Sequence, residues 1–153
     1  MTEMNTSVNL TAKANAREAA HVDLALLLLR IASAPAFLYH GSAILFGWFA
    51  GTGPAVFATS HHWPLLIAYL VGAAQVGGGV AILTGILFRL GAASVSLVMV
   101  GAIFLVHLPH GFNVENGGAE YAFTQLLVAG ALLLMGPGRY SLKFLAPPAM
   151  HKF

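Results

Sequence analysis

The sequence predicts an all-α protein, a bundle of four transmembrane helices with both termini in the cytoplasm. The 153 residues are 58% hydrophobic and 8% charged, with a mean hydropathy of +0.81. Soluble domains carry about 25% charged residues, so most of this surface faces something other than water. Four long apolar runs and a one-sided distribution of Lys and Arg complete the prediction. The length is typical of a single domain.

Composition also excludes several classes of function. The net charge is only +2, and the chain has no basic run, so we expect no nucleic-acid partner. It has no cysteine, which excludes disulfides, thiolate metal ligands and thiol redox catalysis. The apolar runs do not alternate with polar residues, as the strands of a membrane β-barrel would.

The chain divides into a membrane domain between two polar tails. We expect residues 1–22 to form a mobile cytoplasmic tail, helical from about Ala12, with Asp23 capping the first span. The membrane domain covers residues 23–142. Residues 143–153 form the second cytoplasmic tail.

The four predicted spans cover residues 24–46, 64–87, 90–108 and 121–136. Crossing the hydrocarbon takes about 20 helical residues, and helix is required because backbone groups cannot go unpaired in lipid. The first three spans are long enough. The fourth needs Glu120 at its mouth, together with tilting or local thinning of the bilayer.

Cations orient the predicted bundle. They precede the first span, separate the second from the third and follow the fourth, at Lys13, Arg17, Arg89, Arg139, Lys143 and Lys152. The other two connections, residues 47–63 and 109–119, contain no Lys or Arg. The positive-inside rule therefore places both termini in the cytoplasm.

The two outer connections differ in character. Residues 47–63 are too apolar for a solvated loop and too few to span. We expect them to lie along the interface or to fold back over the bundle mouth, with His61 and His62 as interfacial residues rather than ligands. Residues 109–119 are rich in glycine and predict a turn.

The second span carries a repeat of small residues. Ala73, Gly77, Ala81 and Gly85 recur every four residues, a pattern that permits close approach of a neighbouring helix. We interpret this stripe as a packing surface.

Polar side chains within the spans point to a site. A charge at a span centre costs about 2.5–3.5 kcal/mol on insertion scales. Arg30 either extends to the cytoplasmic headgroups or faces the bundle interior, on one helical stripe with Ser33, Phe37 and His40. Gln75 lies near mid-bilayer, where we expect a hydrogen bond between helices.

Three ionisable groups share the outer leaflet. His40 lies about 9 Å below the outer end of the first span, counted at about 1.5 Å per residue. His107 ends the third span, and Glu120 begins the fourth. The three form a shared site, or each has a separate structural role, such as that of an acid at a helix N-terminus for Glu120.

Several segments together resemble the DoxX family of four-span bacterial membrane proteins. They are LLLLRIASAPAFLYHGSAILFGWFAGTGP, GAAQVGGGVAILTGILFRLGA, MVGAIFLVHLPHGFNVENGGAEYAF and LLLMGPGRYSL. The resemblance covers residues 24–142 and implies quinone-linked redox chemistry in the bacterial plasma membrane, as in subunits of quinol oxidases and of thiosulfate:quinone oxidoreductases. Relatives often carry Glu where this chain has Gln75, which argues against a proton-carrying role there.

The resemblance implies a quinone held among the spans near the outer leaflet. We expect the site to draw on Arg30, Tyr39, His40, Gln75, His107, Glu120 and Tyr121. The histidines would donate to the quinone carbonyls, the glutamate would pass protons outward, and a tyrosine would stack or donate. The arginine and the glutamine would extend a polar ladder down the bundle.

Other functions stay open at this point. The sequence offers no electron carrier, so the chain is at most a membrane subunit of an oxidoreductase, beside a redox partner protein or in a homo-oligomer. The alternative is a non-catalytic scaffold or assembly subunit that docks a redox partner. We expect neither haem nor metal, because no ligand-spacing motif is present. Four unbroken spans also argue against a small-solute transporter unless the chain oligomerises.

Overall fold

The structure is a computed structural model that describes residues 2–147, with side chains from residue 9 onward. This part of the chain contains no strand, and its α-helices are α1 (Thr2–Phe46), α2 (Gly53–Ser60), α3 (Leu65–Thr84), α4 (Phe88–Ala102) and α5 (Glu120–Met135). A π-helical turn, Ile103–His107, and a 3-10 turn, Leu108–His110, continue α4. The all-α prediction is confirmed. Lys152 lies outside the described residues.

Three helices in the described part are long and apolar enough to cross a membrane. They are the portion of α1 from Asn9 to Phe46, all of α3, and α4 with its continuation, Phe88–His110. α5 is also apolar but has only 16 residues. Its length agrees with the expectation that the fourth span needs tilting or a thinner bilayer.

The first helix is longer than predicted. It begins at Thr2 and continues without a break into the first span, so Asp23 lies inside a helix rather than at its start. Alanines are frequent between Ala12 and Ala20, and alanine has the highest helix propensity. The Asp23 carboxylate instead accepts a hydrogen bond of 2.8 Å from the backbone N–H of Arg139, after the last helix.

The helices follow one another around the bundle. α3 packs between α1 and α4, α4 packs between α3 and α5, and α1 also contacts α5. α2 lies against α1 and α3. Residues 47–63 therefore fold back onto the bundle, as one of the two predicted arrangements requires.

Glycines on two sides of α3 allow close helix contacts. A Cβ on Gly79 would lie 3.0 Å from Leu38 of α1, and one on Gly78 would lie 2.4 Å from Val95 of α4. Gly77, by contrast, has open space around it. The predicted stripe is therefore wrong as a continuous packing surface, since residues four apart drift around a helix of 3.6 residues per turn while α3 has neighbours on two sides.

Arg30 joins three parts of the chain at one end of the bundle. We call this end, which carries Arg89, Arg139 and Lys143, the cationic end. The guanidinium is 2% exposed and donates to four backbone carbonyls, those of Ile82, Leu83, Pro137 and Tyr140. Two of these belong to the last turn of α3, where helix carbonyls lack partners within the helix. Arg30 thus does not extend to lipid headgroups.

Candidate functional site

A cavity of about 770 Å³ lies between the helices, away from the cationic end. All four long helices line it, and α2 and the residues after it contribute Phe57, His61 and Trp63. Its walls are mostly apolar, and no Asp, Glu, Lys or Arg of the described chain lines it. A volume of this size is typical of a site for one organic molecule.

Polar side chains enter this cavity from several elements. α1 supplies His40, α3 supplies Gln75, the π-helical turn supplies His107, and α5 supplies Tyr121 and Gln125. Four of the seven predicted site residues therefore meet in one space, and Gln125 joins them. Residues that lie far apart in the sequence converge here because every span contributes one wall.

Gln75 has no hydrogen-bond partner in the described structure. Its side chain is only 5% exposed, yet it makes none of the hydrogen bonds found there. The predicted hydrogen bond between helices is therefore wrong for Gln75. A buried amide normally finds partners, so this amide is available to a molecule in the cavity.

Gln125 makes the inter-helix bond instead. Its Oε1 accepts a hydrogen bond of 2.8 Å from the Ser33 hydroxyl of α1. The side chain is 9% exposed and lines the cavity. The Gln125 side chain also forms a hydrogen bond with the phenol of Tyr121, so this amide has protein partners on both α1 and α5.

His107 is held by the loop that follows it. Its Nδ1 lies 2.7 Å from the carbonyl oxygen of Gly117. The residue ends the π-helical turn, a rare element that is frequent at functional sites. The α-helix ends at Ala102, so this turn sets the position from which the imidazole reaches the cavity.

The loop from Pro109 to Ala119 is ordered by its own backbone. Gly118 donates to the Asn113 carbonyl and Ala119 donates to the Gly111 carbonyl, at 2.9 and 3.0 Å. Gly111 and Gly117 have φ angles of +81° and +78°, which favour glycine. The predicted turn is confirmed, and it presents the carbonyl that holds His107.

His40 is the second imidazole of the cavity. It makes no hydrogen bond in the described chain, and its ring centroid lies 6.4 Å from that of Tyr121. His40 and His107 are close enough for their charges to interact. The prediction that they share one leaflet and one site is therefore consistent with the placement of both rings.

Three predicted site residues lie outside the cavity lining. Arg30 is bound at the cationic end, as described above. Tyr39 stacks on Phe49 at a centroid distance of 4.9 Å. The Glu120 carboxylate is exposed and accepts a hydrogen bond of 3.1 Å from the backbone N–H of Val114. Glu120 therefore fixes the outer loop, which agrees with the structural alternative considered for it.

Sequence reasoning missed two residues that line the cavity. Gln125 is an amide within an apolar run, one helical turn after Tyr121, and that isolation was a usable signal. His61 was expected to be interfacial, but it lines the cavity and lies between Phe57 and Trp63, with ring centroids 4.5 and 4.8 Å away. Its position depends on how α2 folds back, which no local pattern specifies.

The cavity has a lateral opening between α3 and α4. Leu70, Leu97 and Leu105 line the cavity, although they are 55%, 74% and 67% exposed on the outside of the bundle. The two helices are in close contact where Gly78 meets Gly91. The opening therefore lies on the apolar side surface of the bundle, which is the surface that lipid covers.

The described ionisable residues are not grouped as metal ligands. In the described part of the chain, no three His, Asp or Glu side chains are grouped as metal ligands would be. His40, His107 and Glu120 in particular are not a three-ligand set. The cavity offers imidazoles, amides and a phenol, which are hydrogen-bonding groups for an organic ligand.

Comparison with known proteins places this architecture in a family. The DoxX family model matches residues 25–108, just over half of the chain. A protein of Bacillus subtilis (strain 168) named "Putative oxidoreductase CatD" is 31% identical over 114 residues, which cover 74% of this chain and 81% of that protein. No solved structure is significantly similar to the chain. The chain is a membrane protein of the DoxX family.

Proposed function

We propose that this protein is the quinone-binding membrane subunit of a redox system. The observation that carries the proposal is the pair of polar side chains without hydrogen-bond partners in the described chain, Gln75 and His40, in a cavity whose walls are mostly apolar. A quinone has an apolar ring and two carbonyl oxygens. Such a ring fits an apolar cavity, and its oxygens need the hydrogen bonds that these side chains can offer.

The lateral opening supports a ligand that comes from the membrane. A quinone with an isoprenoid tail partitions into the bilayer, and its tail can remain between α3 and α4 while the ring occupies the cavity. The apolar side chains Leu70, Leu97 and Leu105 would then contact the tail. A water-soluble substrate would gain nothing from such an opening.

The polar groups lie at different depths, as two carbonyls of one ring require. Tyr121 and Gln125 are four residues apart on α5, which corresponds to about 6 Å along the helix axis. We propose that Gln125 and Gln75 bind the deeper oxygen. His40 and Tyr121 donate to the outer one, and His107 joins them when its ring carries both protons, since its Nδ1 already donates to the Gly117 carbonyl. Protons would leave or enter through the imidazole of His107, which lies beside the outer loop.

Electron transfer requires a second component in this proposal. The Bacillus subtilis relative is named an oxidoreductase, which supports a redox role. The side chains that line the cavity are hydrogen-bonding and apolar groups, and none of them carries electrons. We therefore propose that a partner protein exchanges electrons with the bound quinone.

The proposal is tested by the small molecules that the protein retains. Protein extracted gently in detergent is analysed by mass spectrometry, and we expect a stoichiometric quinone. His107→Ala should lose most of it, while His110→Ala should keep it, because His110 is exposed on the same loop and does not line the cavity. Wild-type protein that retains no quinone and does not take up added quinone would contradict the proposal.

A second pair of variants changes the cavity without touching its hydrogen-bonding groups. A Cβ at Gly101 or at Gly130 meets nothing within 4 Å, but only Gly101 lines the cavity. Gly101→Phe should therefore displace the quinone, whereas Gly130→Phe should not. Equal retention by both variants would place the ligand elsewhere.

A second function, docking of a partner protein, is favoured by the N-terminal part of α1. Residues 9–19 are exposed on every side of the helix. We propose that this extension binds the redox partner or a second copy of the chain. Deleting residues 2–19 should abolish cross-linking to the partner and leave quinone retention intact. If the shortened protein still cross-links to the partner, docking by this segment is contradicted.

We also propose that the protein lies in the bacterial plasma membrane with both termini in the cytoplasm. Arg89, Arg139 and Lys143 lie at one end, which the positive-inside rule makes cytoplasmic. Because the chain has no cysteine, single cysteines report the orientation directly. In intact cells an impermeant maleimide should label His110→Cys and not Arg139→Cys, and the reverse pattern would overturn this orientation.

A further inference from the structure

The chain that follows α5 is held in place against the end of α3. The buried guanidinium of Arg30 donates to the carbonyls of Pro137 and Tyr140. The backbone N–H of Leu142 donates to the Thr84 carbonyl at 2.7 Å. Because these bonds fix the backbone, the side chains of this stretch cannot turn inward to find cover within the protein.

The end of α3 marks the edge of the hydrocarbon. α3 has 20 residues, which correspond to about 30 Å, the thickness of the hydrocarbon core. Its last residue is Thr84, so the bond from Leu142 places the chain after α5 at this edge. Arg89 lies at the same edge, because it is in the first turn of α4 and only a short turn joins α3 to α4. We call residues 139–145 the interfacial segment.

The interfacial segment exposes apolar side chains. Phe144 and Leu145 are 70% and 66% exposed, and Tyr140 and Leu142 are exposed as well. Apolar surface at the edge of the hydrocarbon is removed from water when acyl chains cover it. The position and the exposure of these side chains therefore indicate that lipid covers the segment.

Cations lie among and beside these apolar side chains. Arg139 and Lys143 belong to the interfacial segment, Arg89 lies at the same level, and all three are exposed. In the described part of the chain, none of their charged groups pairs with a carboxylate. The nearby Asp23 carboxylate accepts from the backbone N–H of Arg139 instead. Positive charge without a protein counter-charge is therefore present at the depth of the lipid headgroups.

We propose that the interfacial segment and Arg89 form a binding surface for anionic phospholipids. The phosphate groups bind to Arg89, Arg139 and Lys143, and the acyl chains cover Phe144 and Leu145. A phospholipid matches both properties of this surface, since its headgroup is anionic and its tails are apolar. A free anion would leave the apolar side chains uncovered. This proposal does not depend on which molecule occupies the cavity.

The test compares two lipids that differ in headgroup charge. Purified protein in a neutral detergent is titrated with phosphatidylglycerol or with phosphatidylcholine of the same acyl chains, and native mass spectrometry measures the bound lipid. We expect wild-type protein to bind phosphatidylglycerol more tightly. Arg89→Gln, Arg139→Gln and Lys143→Gln should each lower its affinity for phosphatidylglycerol about fivefold and change its affinity for phosphatidylcholine little. The triple variant should bind both lipids alike.

A charge-matched control lies on the same protein. Lys13→Gln with Arg17→Gln also removes exposed cations, but from the N-terminal part of α1, and it should keep the preference for phosphatidylglycerol. Phe144→Ser with Leu145→Ser keeps the cations and removes apolar contact, so it should weaken both lipids by similar factors. Near-UV circular dichroism checks that each variant remains folded.

Several results would overturn the proposal. They are equal affinity of wild-type protein for the two lipids, an unchanged preference in the folded triple variant, and an equal loss of preference in the control at Lys13 and Arg17. Inorganic phosphate is the probe for a free-anion site. It should displace no more phosphatidylglycerol than chloride does at the same ionic strength, and stronger displacement would assign the cations to a free anion rather than to a lipid.

Discussion

The two ends of the bundle each bury a polar side chain, but only one of these side chains has hydrogen-bond partners. Arg30 at the cationic end is 2% exposed, and Gln75 beside the cavity is 5% exposed. The guanidinium donates to four backbone carbonyls, whereas the amide has no hydrogen-bond partner in the described chain. Burial alone therefore does not separate a structural polar residue from a ligand-binding one.

The difference is whether nearby backbone carbonyls accept hydrogen bonds from the polar side chain. At the cationic end, the last turn of α3 and the loop after α5 leave carbonyls that lack partners, and Arg30 supplies the donors. At the cavity, no described backbone group bonds Gln75 or His40, although the cationic end also holds one buried hydroxyl without a partner, that of Ser141. We infer that the first end holds the bundle together and that the second end serves a ligand.

The largest expected effect comes from removing Arg30. Arg30→Leu leaves one buried and three partly buried carbonyls without their donors, and we expect a loss of about 3–5 kcal/mol in the free energy of unfolding. Thermal unfolding in detergent measures it. Arg17→Leu is the control, because Arg17 is exposed on the N-terminal part of α1, and it should change stability little. Arg30→Lys should recover only part of the loss, since one ammonium cannot reach all four carbonyls.

A wild-type melting curve for Arg30→Leu would show that the cationic end does not depend on these bonds. The claim that the hydrogen bonds of Arg30 hold the bundle together would then be wrong. Loss of quinone from a fully folded Arg30→Leu protein would instead bring Arg30 back into the ligand site, as the polar ladder expected from the sequence requires.

A smaller effect on stability is expected at Gln75. Gln75→Leu replaces an amide without partners by an apolar side chain of similar size, so the free energy of unfolding should change by less than about 1 kcal/mol. Affinity for a decyl-tailed benzoquinone should fall about tenfold, because one hydrogen bond to the ligand is lost. Thermal unfolding and a binding titration on the same sample measure both quantities.

Gln125→Leu is the matched comparison for stability. It breaks the bond to the buried Ser33 hydroxyl and should cost about 1–3 kcal/mol. Should Gln75→Leu destabilise the protein as strongly as Gln125→Leu, then Gln75 would have a structural partner, and the contrast between the two amides would be lost.

The smallest effects are expected at the two predicted site residues outside the cavity on the outer side. Glu120→Gln weakens one exposed hydrogen bond to Val114, and the expected cost is less than about 1 kcal/mol. Tyr39→Phe removes a hydroxyl whose only hydrogen bond, to the Phe49 carbonyl, is 3.5 Å long. Both variants should bind quinone as the wild type does. Loss of binding in either one, measured by the same titration, would extend the site to the outer loop.

Much of the site could be predicted because topology restricts where a span can place its residues. His40 and His107 lie near the same ends of their spans, so a shared leaflet followed from the chain order alone. The stripe of Arg30, Ser33, Phe37 and His40 was also expected to face the interior. The first three are buried, whereas His40 lines the cavity but is exposed. Depth along a helix and the face of a helix follow from its rise and its period.

The contacts of each inward-facing side chain could not be predicted in the same way. Tyr39 and His40 are adjacent in the sequence, yet one stacks on the outer loop and the other lines the cavity. Glu120 and Tyr121 are also adjacent in the sequence, yet Glu120 bonds to the outer loop and Tyr121 lines the cavity. A difference of one residue rotates a side chain by about 100° around a helix, so the outcome depends on helix rotation and loop path rather than on depth.

By itself, the sequence determined that this chain is a helical membrane protein with His40 and His107 at the end opposite Arg89 and Arg139. Hydrophobic length, the pairing of backbone groups in lipid and the distribution of charge depend only on the order of residues. Only the tertiary structure decided that Arg30 completes the backbone of α3 while Gln75 and His40 remain free beside a cavity. Which polar groups lack hydrogen-bond partners depends on how the helices pack, so only the three-dimensional structure shows it.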